Sequence, residues 1–125
     1  MLHFLTDEHI SPAVAEQARH KLSGIKITAL QHWREGDFLG TPDTVFIPQA
    51  IKEGLTLVTY DQKTIAPLPK SWAEQGFNHS GVVFVDKKTI APWDLGGLVK
   101  ALCLLWQVQR KLDWTNRVIF LGSVV

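Results

Sequence analysis

Three acidic positions in this chain stand where a fold can bring them together: the adjacent pair Asp7 and Glu8 with His9 behind it, then Asp43, then Asp61. Carboxylates from separate parts of a chain that crowd into one crevice repel one another, and the crowd is tolerable only if they share protons or a cation. Ligation by Asp and Glu oxygens, with no Cys or His at ligand spacing, suits Mg²⁺ or Mn²⁺ rather than Zn²⁺. Such an ion polarises a phosphoryl oxygen and lowers the pKa of a water. That is the chemistry of metal-assisted phosphodiester hydrolysis, run with one ion or with two about 4 Å apart. Neighbouring groups fit the same chemistry. Thr59 offers a hydroxyl to a carboxylate or to an attacking water, Lys63 an ammonium to a phosphate, and His9 a ring that orients a carboxylate or meets substrate.

The elements that must position these residues are legible in the pattern. Leu2 to Thr6 reads as a short buried strand running straight into Asp7, and Ser11 with Pro12 then opens a helix as N-cap and first helical residue. That helix runs from Ala13 to Leu22, with Val14, Ala15, Ala18 and Leu22 on one side and Gly24 as its stop. Ile25 to Leu30 is a second strand, and Gln31 to Gly40 a loop pinned by Trp33 and Phe38. Thr41 and Pro42 start a second helix with Asp43 in its first turn and Gly54 closing it, although Pro48 threatens its continuity. Leu55 to Tyr60 is a third strand ending on Asp61, and Pro67 to Gly76 holds a short helix around Trp72. Gly81 to Val85 is a fourth strand ending on Asp86. Asp94 caps a long helix from Leu95 to about Leu112, with Leu98, Val99, Leu102, Cys103, Trp106 and Leu112 at helical spacing. Val118 to Leu121 makes a last strand of undetermined direction and place.

Strands alternating with helices predict a three-layer α/β/α fold around a mostly parallel sheet of four to five strands, order 2-1-3-4 with the fifth strand unplaced. In such a sheet every strand ends on one edge, and ligands bind at that edge where the strand order reverses. Asp7 and Asp61 then face each other across the switch point, Asp43 leans in from its helix start, and Asp86 lies on the same rim. Each acid also has a plainer use. Asp43 and Asp94 suit helix caps, Asp61 suits a turn before Lys63 and Thr64, and Asp86 beside Lys87 and Lys88 reads as a solvated corner residue. Asp7 next to Glu8 is the hardest pair to explain structurally. A small echo joins two of these corners: Asp61-Gln62-Lys63-Thr64-Ile65-Ala66-Pro67 recurs as Asp86-Lys87-Lys88-Thr89-Ile90-Ala91-Pro92.

Composition narrows the partners. With 125 residues, 46% hydrophobic and 20% charged, residues 1–125 fit one domain with a sizeable core. The 13 basic and 12 acidic residues give a net charge of +1, so any basic surface is local rather than global. One cysteine, Cys103, excludes an intrachain disulfide, and the start of the chain lacks a signal-peptide pattern, which together point to the cytoplasm. Leu95 to Leu112 is the most apolar stretch, but Lys100, Gln107, Gln109, Arg110 and Lys111 make it a buried or partner-facing helix and no membrane span. Its breadth leaves room for a homodimer contact or a bound peptide. The five tryptophans suit core packing and interface anchoring, with base stacking as an alternative use. Arg110, Lys111 and Arg117 offer a second site for a phosphate-facing patch.

The stretch Leu5-Thr6-Asp7-Glu8-His9-Ile10-Ser11-Pro12, then Pro42-Asp43 entering a helix with Ala50, then Leu57-Val58-Thr59-Tyr60-Asp61, resembles the PIN-like domain family often labelled DUF5615. The resemblance spans about the first half of the chain; the remainder is matched only by the strand near Gly81 to Val85 and the helix after it. It implies an Mg²⁺- or Mn²⁺-dependent ribonuclease with an acidic site at Asp7, Asp43 and Asp61 together with Glu8. It also implies a role as the toxin half of a bacterial toxin-antitoxin pair, with RNA as substrate and an antitoxin protein as partner. The chain departs from the family where Lys63 and Thr64 stand in place of an acidic residue and an aromatic. Lys63 there either contacts a phosphate or pairs with Asp61 and displaces a cation. A catalytically impaired module that binds RNA or a protein partner is the alternative this departure raises. A phosphoacceptor receiver domain, which also carries an acidic pair after its first strand and an aspartate after its third, lacks here the lysine expected at the end of strand five.

Overall fold

In a computed structural model, which describes residues 1–123, five parallel strands form one sheet in the order β2-β1-β3-β4-β5. The strands are β1 (Phe4–Thr6), β2 (Ile27–Ala29), β3 (Thr56–Thr59), β4 (Val82–Val85) and β5 (Val118–Leu121). Register is continuous across the sheet: Leu5 pairs with Thr28 on one side and Leu57 on the other, Val58 with Val83, and Val83 with Ile119. The helices are α1 (Ala13–Lys21), α2 (Asp43–Lys52), the single turn α3 (Gln62–Ile65), α4 (Leu68–Glu74) and α5 (Leu95–Gln109), with a short 3-10 turn at Trp33–Gly36. The fold is thus the three-layer α/β/α architecture read from the alternation of elements, and the fifth strand finds its place beside β4.

Alternation of side chains along the strands builds two cores, one per face. Phe4, Val58, Val83 and Val85 pack against α1 and α5 through Val14, Ala18, Leu98, Leu102 and Trp106. Leu5, Leu57, Val82 and Phe84 pack on the other face against Phe46, Ile47 and Ala50 of α2 and Ile65 of α3. Strands buried on both faces read as unbroken apolar runs, which is why β3 and β4 lack a polar alternation. The 31–40 loop is held as expected, with Trp33 buried and stacked on Phe38 at 4.8 Å between ring centroids. Arg34 and Glu35 adopt left-handed backbone there, a conformation that their residue types do not announce. α2 continues through Pro48, whose ring lies exposed.

Beyond strand ends shorter by one or two residues, a helix end and a helical turn differ from the sequence pattern. α5 ends at Gln109, so Leu112 lies beyond it and is 54% exposed while the other five expected core positions are buried. Asp61 nucleates a helical turn that the pattern gives only as a turn, because its carboxylate accepts the Thr64 N–H at 3.0 Å. Asp94 caps α5 as read, accepting from the Gly97 N–H at 2.9 Å. Arg110 and Arg117 stack over the rings of Trp106 and Trp114 at 5.1 and 4.5 Å. Their backbones bond Leu2 and Val82, at the edge of the sheet where strands begin and away from the carboxylates.

Two features of this frame make stability predictions. Thr6 is fully buried on the face shared with Phe4, and its hydroxyl finds no partner among the described residues. Replacing an unpaired buried hydroxyl by a methyl of the same shape removes a desolvation cost. Thr6→Val is expected to raise stability by about 1 kcal/mol in a denaturant titration. His79 is buried at the start of β4, where its Nδ1 accepts the Gly81 N–H at 3.0 Å. Burial lowers its pKa, and burial chiefly lowers that of His3 as well. The unfolded chain therefore binds protons that the folded chain refuses, so stability is full above pH 6.5 and falls as pH drops through the lowered folded values. Thermal melts between pH 7.5 and 5.5 are expected to show that fall, and His79→Asn to flatten it.

Candidate active site

The corner after β1 is built to hold Asp7 in place. The Asp7 N–H bonds the Val58 carbonyl at 3.1 Å, extending the β1–β3 pairing by one residue, and the chain then turns with the Ile10 N–H on the Asp7 carbonyl at 3.1 Å. Pro12 takes the N-cap position of α1 where the sequence places it one residue inside, and the Ser11 hydroxyl just ahead accepts the Ala13 N–H at 3.2 Å. From across the corner, the Gln31 amide donates to the carbonyls of both Glu8 and Ile10, each at 3.0 Å. The turn is thereby tied to the end of β2. Glu8 is tied in turn to the next loop, where its Oε2 accepts the Gly40 N–H at 3.0 Å.

Asp7 is buried, and both of its oxygens are engaged. Oδ1 accepts the His9 N–H at 2.9 Å and Oδ2 accepts the Thr59 hydroxyl. Thr59 Oγ1 also accepts the Asp61 N–H at 2.9 Å. One hydroxyl on β3 thus couples the carboxylate after β1 to the backbone that carries the carboxylate after β3. Asp43 enters from the first turn of α2.

Asp7, Glu8, Asp43 and Asp61 line one pocket of about 110 Å³, with His9 and Thr64 at its wall and Leu30, Phe46 and Ile65 beneath. At roughly 30 Å³ per molecule this is room for three or four waters. The apolar residues under it are buried, so the carboxylates lie over a low-dielectric floor. Burial first, and the nearby Asp43 charge in addition, push the Asp7 carboxyl up, against the downward pull of its bonds from Thr59 and His9. Asp43 is also pushed up, by burial, then by Asp61 and Glu8, with His9 opposing. No family model, curated protein or solved structure matches this chain.

The switch-point geometry read from the sequence therefore brings Asp7, Glu8, Asp43, Asp61 and His9 to one pocket, with Thr59 fully buried outside its lining as the partner of Asp7. Lys63 goes elsewhere. It is exposed and faces a neighbouring concavity, and the one salt bridge among the described residues is Arg34 to Glu53, so no lysine pairs with Asp61. Asp86 borders that second concavity and not the acidic pocket. Sequence reasoning passed over Gln31 and Gly40, which fix the backbone of the corner. A lone glutamine in a polar loop and a glycine with φ +78° carry no signal beyond loop character.

The donor set suits a hard divalent cation in kind: carboxylate oxygens only, mutually repelling, with two carboxyls raised by causes that a positive charge would relieve. Among the described residues no three His, Cys, Asp or Glu side chains stand close enough to ring an ion as arranged. Asp7 has both oxygens in hydrogen bonds and Asp61 has one on the α3 cap. Asp7, Asp43 and Asp61 are the residues that would hold the ion, with Glu8 on the Gly40 side.

Proposed function

We propose that this chain is an Mg²⁺- or Mn²⁺-dependent endoribonuclease of the PIN-like type, acting as the toxin of a bacterial toxin-antitoxin pair. One observation carries the reading: carboxylates from three distant segments line a single small pocket at the strand-end edge of a parallel sheet. A bound divalent cation supplies charge neutralisation at a phosphodiester and a water of lowered pKa. Asp7, Asp43 and Asp61 would hold that cation. Thr59 aligns Asp7 and favours its charged form against burial, and Leu30, Phe46 and Ile65 form an apolar floor. His9, on the solvent side, meets the substrate.

The engaged oxygens of Asp7 favour a second reading, a module of the same fold that binds RNA or a protein partner without hydrolysis. The two separate on one experiment. Cleavage of single-stranded RNA that requires Mn²⁺ and disappears in Asp7→Asn and Asp61→Asn supports the nuclease. Absence of Mn²⁺ binding by titration calorimetry at millimolar concentration supports the module. In cells, the toxin reading expects growth arrest on expression that Asp7→Ala abolishes.

A further inference from the structure

Beside the acidic pocket, the same edge of the sheet carries a larger concavity of about 650 Å³. One wall is Tyr60 to Lys63, after β3, and the other is Asp86 to Lys88, after β4. These walls are the two copies of the sequence echo. Leu57 lies beside Val82 and Thr59 beside Phe84, and Asp61 and Asp86 each stand two residues past the last of these paired positions. The repeat is thus a spatial one, two corners that follow adjacent strands and face one concavity.

Their carboxylates are occupied locally. Asp61 Oδ1 accepts from the Thr64 N–H, and Asp86 Oδ1 accepts from the Lys88 N–H at 3.0 Å, with the Thr89 hydroxyl 3.4 Å from its other oxygen. The lysines are not. Lys63, Lys87 and Lys88 are exposed and have no ion-pair partner among the described residues. Three ammonium groups without an ion-pair partner thus stand with two backbone-bonded carboxylates around one concavity. Asp61 lines both concavities, so the lysine-lined space and the acidic pocket share a wall.

An exposed aromatic lies on a segment tied to this concavity through Tyr60. The Tyr60 hydroxyl reaches the Ala91 carbonyl at 3.4 Å, tying the end of β3 to the segment between β4 and α5. Trp93, two residues on, is 84% exposed, more than any other large apolar side chain described. An exposed indole on the segment tied to Tyr60, together with unpaired lysines, is the combination that a single-stranded polynucleotide uses, phosphates on the cations and a base on the ring.

We propose that the concavity between the two echo corners is a backbone-binding subsite for single-stranded RNA. Lys63, Lys87 and Lys88 hold phosphates, Trp93 stacks a base, and the strand passes over Asp61 into the acidic pocket. The subsite rests on the reading of that pocket as the hydrolytic centre for its purpose, though not for its binding. A space of this size takes about one or two nucleotides of a single strand and no duplex.

The test is fluorescence anisotropy of a labelled twelve-nucleotide oligouridylate with the full chain in EDTA, across a salt series. Each lost phosphate contact on a single strand lowers the slope of log affinity against log salt by roughly 0.7. The triple variant Lys63→Ala, Lys87→Ala, Lys88→Ala is expected to lose about 2 from that slope and to bind at least roughly tenfold more weakly at low salt. Lys26→Ala, at the opposite edge of the sheet, should match the wild type. Trp93→Ala should weaken binding with the slope unchanged, since stacking releases no counterions. A triple variant with the wild-type slope, no binding by the wild type, or equal displacement of the RNA by polyglutamate would overturn the subsite. Cleavage with Mn²⁺ is read separately: a wild type that binds through the lysines but cleaves nothing retires the hydrolytic reading and leaves the subsite standing.

Discussion

Asp7→Asn is expected to raise the melting temperature of the metal-free chain while reducing RNA cleavage by a factor on the order of 10³, about 4 kcal/mol of transition-state stabilisation. The two effects have one cause. Asp7 is buried, and burial together with the Asp43 charge raises its carboxyl, so the folded state holds an ionised group in a place that disfavours it. Asparagine keeps the size of the side chain and removes the charge. Its carbonyl still accepts from the His9 N–H, and its amide can donate to the Thr59 hydroxyl, which has a lone pair to spare beside the one used by the Asp61 N–H.

The sign with pH follows. A carboxyl raised in the folded state penalises folding above its folded pKa, and the penalty disappears as pH falls below the unfolded value of 3.8. The stability gap between variant and wild type should therefore be absent below pH 3.8 and open as pH rises through the raised folded value. Saturating Mn²⁺ should narrow the gap from the other side by stabilising the wild type alone, because a ligand that binds only the native state adds RT ln(1 + [L]/Kd). Asp7→Asn less stable than the wild type at neutral pH without metal, measured by thermal melts, would remove the electrostatic account of the pocket. Undiminished cleavage by the variant would remove Asp7 from the chemistry.

That account was largely legible in the sequence because topology does most of the work. Once strands one and three are neighbours in a parallel sheet, residues just past their ends must share an edge, and the type of Asp7 and Asp61 is all that need be read. Asp43 followed for the same reason, since the helix that feeds a parallel strand starts on that edge. What escaped was everything fixed by side-chain reach. Lys63 sits two residues from Asp61, and spacing cannot tell whether its ammonium turns toward the carboxylate or away; α3 decides it, because the turn capped by Asp61 aims Lys63 out of the acidic pocket. Gln31 was invisible because its two bonds go to backbone carbonyls, which leave no pattern in the residues they join. The end of α5 was misplaced for a similar reason. Leu112 continues the apolar period, but the helix stops at Gln109, and the buried ring of Trp114 follows with its Nε1 donating to the Gln109 carbonyl at 3.0 Å.

Thr59→Val should move the acid limb of cleavage to higher pH and lower kcat/KM by about 10- to 100-fold, the range found when a group that orients a metal-binding side chain is lost. The hydroxyl is fully buried and does two things at once: it donates to Asp7 Oδ2 and accepts the Asp61 N–H. Its bond to Asp7 pulls that carboxyl down, against burial. Without it the opposing forces remain, the carboxyl rises further, and a higher pH is needed to ionise the residue on which cation binding depends. Valine has the shape of threonine, so the β3 core next to it is preserved, and the cost to the fold is confined to two polar groups left without a partner. Thr59→Ser restores the hydroxyl and should bring back most of the activity and the wild-type acid limb. A valine variant that is slower at every pH by the same factor, with its acid limb unmoved, would mean that Thr59 only supports the backbone of Asp61. The coupling of the two carboxylates through one hydroxyl would then have no part in the chemistry.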